Sequence, residues 1–100
     1  MNQVVLVGRI TDIKKTKNED VANMVIAVAR SLKNDEGIYE TDFINVELKG
    51  VIALNTLEYC KKGDIVGVKG RVQTTKIRNS YKMGVVAERI TFLSSSKDHE

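Results

Sequence analysis

The chain has 100 residues, 42% of them hydrophobic and 29% charged, and its 16 Lys and Arg against 13 Asp and Glu give a net charge of +3. This is the composition of one ordinary globular domain: it excludes a disordered chain, and no run reaches the ~20 apolar residues of a membrane-spanning helix. A lone Cys60 excludes an internal disulfide, and Met1–Leu6 lacks the basic start and small-residue cleavage site of a secretory leader, so a cytoplasmic location is expected.

Val4–Ile13 is rich in Val, Leu and Ile and reads as a strand that ends in a charged turn, Lys14–Asp20. Val21–Ser31 is apolar at alternating positions of both parities, which predicts a strand buried on both sides. Asn34, Asp35 and Gly37 supply the residues of a tight connection. Ile38–Leu48 then alternates, with Ile44, Val46 and Leu48 inward and Tyr39, Thr41, Phe43, Asn45 and Glu47 outward.

The alternation breaks at Val51–Tyr59, whose apolar residues fit about two helical turns, and Lys61-Lys62-Gly63-Asp64 reads as the helix stop with glycine in a left-handed cap. Ile65–Ile77 and Tyr81–Leu93 are two long strands joined by a short turn at Arg78-Asn79-Ser80, and Ser94–Glu100 is a polar tail expected to fray. Tyr59 and Phe92 are assigned to the core, and Met24 and Met83 to core or interface.

The order strand, strand, strand, helix, strand, strand is that of the all-β OB-fold, a five-stranded Greek-key barrel with one short helix between strands three and four. Gly67 and Gly70 fit places where a small barrel bends sharply. No enzyme, metal site or cofactor is indicated. His99 is the only histidine and stands in the tail, Cys60 has no companion at metal spacing, and Gly67-Val68-Lys69-Gly70 lacks the spacing of a phosphate loop. Asp42 and Glu47 read as surface charge.

The wording of the chain goes further than its periodicity. Met1–Ile10 (MNQVVLVGRI), Val21-Ala22-Asn23, Asp42-Phe43-Ile44-Asn45-Val46, Glu58–Thr74 (EYCKKGDIVGVKGRVQT) and Val85-Val86-Ala87-Glu88 follow one another in register. Together they resemble the bacterial single-stranded DNA-binding proteins over almost the whole chain. The resemblance implies an OB-fold domain over residues 1–93, a short polar tail over 94–100, and sequence-nonspecific binding of single-stranded DNA in replication, recombination or repair. It also implies a homo-oligomer assembled through the first strand, a tetramer first and a dimer next. Val4–Val7 is apolar on both faces, as a shared strand would be.

Binding single strands without reading sequence takes cations along the phosphates and flat rings beneath the bases. The family's four stacking positions fall here on Leu32, Phe43, Lys49 and Ile77, so only Phe43 keeps a ring. The expected DNA-binding set is Phe43 as platform, Tyr39 and Tyr81 beside turns, and Lys49 on a phosphate. Lys69, Arg71 and Gln73 on one strand face, Lys76, Arg78 and Lys82 at the last hairpin, and Arg9, Arg30 and Lys33 complete the groove. The family's acidic tip is missing from this sequence, so recruitment of partners by that route is not expected. A second resemblance is to primosomal replication protein B, an adaptor of the same fold that bridges a helicase and coated DNA. The shortage of rings suits that role, while Asp42–Asn45 and Lys61–Thr74 sit closer to the binding proteins.

Overall fold

The computed structural model describes residues 1–96. Five strands, β1 (Val4–Lys15), β2 (Val21–Lys33), β3 (Tyr39–Lys49), β4 (Ile65–Ile77) and β5 (Ser80–Ser94), and one helix, α1 (Gly50–Tyr59), follow in the expected order. The strands close in the order β1-β2-β3-β5-β4. β1 is antiparallel to both β2 and β4, and the seam between β3 and β5 is a short parallel pairing, Val46 with Val85 and Glu47 with Val86. This is the OB-fold that the strand order predicts.

Ile10, Ala22, Met24, Ile26, Val46, Leu48, Val66 and Val68 alternate inward and are essentially sealed from solvent. Each large side chain among them stabilises the fold by about 1.5–3 kcal/mol through burial. α1 adds Ala53 to this core, with Ile52 and Leu57 packed against it. The turn after α1 is held by Asp64, a carboxylate only 1% exposed. Its Oδ2 accepts from Lys61 N–H at 3.0 Å and its Oδ1 from Ser96 N–H at 3.3 Å. The backbone there pairs with β1 in both directions, Gly63 N–H to Ile10 O and Ile10 N–H to Asp64 O, each 2.8 Å.

Several sequence expectations need correction. The charged turn starts later, because β1 runs on to Lys15, and the β4–β5 turn is two residues, Arg78-Asn79, since Ser80 pairs with Ile77. α1 ends with an extended Cys60, and the left-handed conformation falls on Gly63 in the following turn, at φ 95°. β2 is fully buried on one side only: on the other, Asn23 and Ala29 are exposed and Val25 and Ala27 half-buried, since the β4–β5 hairpin stands across an open cleft from that face.

Tyr59, at 70% exposure, lies outside the buried stripe of Ile52, Ala53, Thr56 and Leu57. Phe92 is 49% exposed: β3 pairs with β5 only at Val85 and Val86, so the later part of β5 is not paired with β3. Met83 is exposed because the β4–β5 hairpin runs beyond the barrel, while Met24 is core. Of the expected tail, Ser94 still pairs with Ile65; residues 97–100, including His99, lie outside the described residues.

Gly70 sits at a register shift between β4 and β5, where a Cβ would run into the backbone carbonyl of Val86. Substituting Gly70→Ala forces backbone apart, and chemical denaturation is expected to show a loss of about 1–3 kcal/mol. Asp64→Ala leaves the Lys61 and Ser96 amides without their acceptor and is expected to cost about 1–3 kcal/mol in the same measurement. Gly67→Ala, where a Cβ meets only ordinary contacts, serves as the near-neutral control.

Candidate nucleic-acid interface

The outer face of β2 and β3 is laid out by their antiparallel register. Phe43 stands opposite Ala27, Asn45 opposite Val25, Glu47 opposite Asn23, Lys49 opposite Val21, and Tyr39 opposite Lys33. Small Ala27 beside it, and Ala29 beside Thr41, leave the Phe43 ring standing clear of the sheet at 66% exposure. Tyr39 is also exposed, and Lys33 Nζ sits 5.5 Å from its ring centroid, within range of a cation–π contact. At about 3.3 Å per residue this face offers a track of roughly 33 Å from Tyr39 to Lys49.

The β4–β5 hairpin reaches over the middle of that track. Between hairpin and sheet lies an open cleft of about 420 Å³, lined by Asn23, Asn45 and Glu47 from the sheet and by Gln73, Ile77 and Lys82 among the hairpin residues. Cross-strand pairing divides the hairpin's cations between its two faces. Lys82 pairs with Thr75 on the cleft side, Lys76 pairs with Tyr81 on the opposite side, and Arg78 occupies the tip with φ 57°. Leu32 and Ile77 are exposed apolar side chains.

Not every expected cation is available. Arg30 donates to Asp42 through Nη2 at 2.9 Å and through Nε, and its Nη1 pairs with Glu40 at 3.1 Å. The hydrogen bond from Arg30 holds the Asp42 carboxyl below its ordinary range, and the same bond raises the Arg30 guanidinium further. Arg71 pairs with Glu88 at 3.5 Å and donates to the Gln73 side-chain oxygen at 3.2 Å. Arg9 donates to Gly63 O at 2.7 Å, beside the turn after α1. Lys69 lies between Val5 of β1 and Arg89 of β5, on the other side of the barrel.

The structure therefore brings Phe43, Tyr39, Lys33, Lys49, Gln73 and Lys82 onto one track or its roof, with Arg78, Lys76 and Tyr81 at the overhanging hairpin. It leaves Lys69 and Arg9 away from the track and Arg30 and Arg71 engaged by carboxylates. Sequence reasoning passed over Asn23 and read Glu47 as plain surface charge; the alternation that placed Glu47 on the face of Phe43 was the available signal. Burial, and then the neighbouring Asp64, push the Cys60 thiol above its usual range, which suppresses the reactive thiolate. Among the described residues no group of three or more His, Cys, Asp or Glu gathers to hold a metal.

The model of the single-strand binding protein family matches residues 1–93. Single-stranded DNA-binding protein B of Bacillus subtilis is 42% identical, over 92% of this chain and 89% of its own length. Single-stranded DNA-binding protein 1 of Clostridium acetobutylicum is 38% identical over 98% of both chains. The single-stranded DNA-binding protein of Oceanobacillus iheyensis is 42% identical, but this chain spans only 65% of it. Among solved structures, the Plasmodium falciparum SSB in complex with ssDNA superposes with a TM-score of 0.77 at 23% identity, over 94% of this chain and 96% of that one. The single-stranded DNA-binding protein of Thermus aquaticus gives 0.74 at 23% identity and is covered over 51% of its length. These likenesses establish the barrel fold, and the matches over nearly the full length of this sequence establish its kinship: the chain belongs to the single-strand binding protein family.

Proposed function

We propose that the chain binds single-stranded DNA without requiring a particular sequence, serving replication, recombination or repair in the cytoplasm. The observation that carries this reading is the bare Phe43 ring on the β2–β3 face, beneath a basic hairpin, in a chain of this family. Residues 1–93 form the binding domain. Phe43 stacks a base, Tyr39 offers a second ring, and Lys33, Lys49, Lys82, Lys76 and Arg78 follow the phosphates with Gln73 and Tyr81 beside them. Lys69, Arg71, Arg9 and Arg30 contribute general positive potential, since geometry or ion pairing keeps them from direct contact.

Self-association through β1 is part of the proposal. Val5 and Val7 point outward and are 71% and 55% exposed, an apolar pair that a second subunit would cover. A tetramer is favoured over a dimer. The adaptor role of primosomal replication protein B has less support, because the family match runs from residue 1 to 93 and includes Phe43.

Anisotropy titration of oligo-dT and oligo-dA at two salt concentrations tests the reading. Tight binding is expected to weaken with log salt by about 0.7 for each phosphate neutralised. Phe43→Ala is expected to lose about 1–3 kcal/mol of affinity, with the unfolding transition unmoved because the ring is exposed. Absence of binding even at low salt overturns the proposal.

A second prediction comes from the Arg30 ion pairs. Asp42→Asn removes the carboxylate that engages Arg30 through two nitrogens, so the variant is expected to bind DNA more tightly and with a steeper salt dependence. Unchanged affinity and slope would show that Arg30 lies off the DNA path.

A further inference from the structure

The cleft beneath the hairpin carries more than a route for the strand, because its floor is lined with groups that read base edges. Asn23 and Asn45 are exposed, Glu47 stands beside them, and none of the three has a side-chain hydrogen bond or ion pair within the described protein. Gln73 accepts from Arg71 through its side-chain oxygen, and it lines the cleft with its amide N–H groups unused by any described partner. Val85 and Val86 supply an apolar backing, and Lys82 stands among the lining residues on the hairpin side. At about 420 Å³ the space falls within the size range of small-ligand sites.

A carboxylate on this floor repels phosphate, so a strand crossing the cleft turns its backbone toward Lys82 and its bases toward Glu47. Ionised, Glu47 is acceptor-only. Carboxamides such as Asn23, Asn45 and Gln73 carry both a donor and an acceptor, and so match one edge of adenine, cytosine or thymine alike. The Watson–Crick edge of guanine differs, presenting two adjacent donors, N1–H and N2–H, to the two oxygens of one carboxylate. Thymine sets its single N3–H between two acceptors, one of which opposes the second carboxylate oxygen. Adenine and cytosine place an acceptor next to the amino group.

We infer that Glu47 makes the cleft a guanine-preferring subsite within an otherwise sequence-tolerant track, with its two carboxylate oxygens accepting from guanine N1–H and N2–H. The inference rests on the single-stranded DNA reading and deepens it. Phe43 lies four residues before Glu47 on the same face of β3, about 13 Å along the strand. A base stacked on the ring and a guanine in the cleft therefore belong to one short run of nucleotides. Glu47 is a specificity-determining contact that adds to stacking and phosphate binding and does not replace them.

The test compares dT oligonucleotides carrying isolated dG with the same oligonucleotides carrying deoxyinosine, which lacks the N2 amino group, or dA. Isolated guanines avoid four-stranded structures, and dA controls for the stronger stacking of purines. Wild type is expected to favour dG over deoxyinosine and over dT by about fivefold or more, the scale of one bidentate base contact. Glu47→Gln, which preserves size and strand register, is expected to abolish the difference between dG and deoxyinosine, read as the ratio of the two affinities for each protein so that a general change in DNA affinity from the lost charge cancels. Equal binding of dG and deoxyinosine by wild type overturns the guanine assignment and leaves general DNA binding standing. So does a dG preference that survives Glu47→Gln. Failure of every oligonucleotide to bind overturns both readings at once.

Discussion

β5 is shared between two neighbours, and that division organises the molecule. Over most of its length it is the antiparallel partner of β4, yet for two residues, Val85 and Val86, it also meets β3 and closes the barrel. Beside this contact, at the register shift between Lys69 and Gly70, the missing Cβ of Gly70 lets β4 approach the Val86 carbonyl of β5 closely. One side of the contact, Val46 and Val85, completes the core. The other side, Glu47 and Val86, becomes the floor of the cleft. Closure and site are thus two faces of one pairing, and the hairpin before it overhangs β3 because its root is fixed there.

The rest of the site follows from what is left off the outer face of β2 and β3. Ala27 and Ala29 are too small to cover Phe43, so the ring is exposed by omission. Opposing charges then sort the cations by availability. Arg30 and Arg71 are engaged by carboxylates, whereas no ion pair with a described residue engages Lys33, Lys49, Lys76, Arg78 or Lys82. A count of basic residues overstates the positive field that a strand would meet along the track.

Much of this was legible beforehand. Element order, the inward set Ile44, Val46 and Leu48, and the outward position of Phe43 all follow from period-two alternation, a local property of the chain. What stayed illegible depends on long-range geometry. Tyr59 and Phe92 look like core by composition and are exposed, since only the packed barrel decides which edge of β5 and which side of α1 has a neighbour. The ion pairs of Arg30 with Glu40 and Asp42 need the β2–β3 register, and the division of Lys76 from Lys82 needs the pairing of the hairpin. The role of Asp64 was hidden for the same reason: its partners include Ser96, 32 positions away.

The small number of rings proposed along the track, with Phe43 first among them, has a kinetic consequence. A strand clamped by several rings must unstack several bases before it can move, so each position along it is a deep well. In the proposed binding mode, moving by one nucleotide would exchange one base on Phe43 for the next, while flexible lysines would pass from one phosphate to its neighbour. The energy surface along the DNA is shallow under such a grip. A protein that grips DNA in the proposed way would diffuse readily on the strand it covers and would yield it quickly to whichever molecule arrives next.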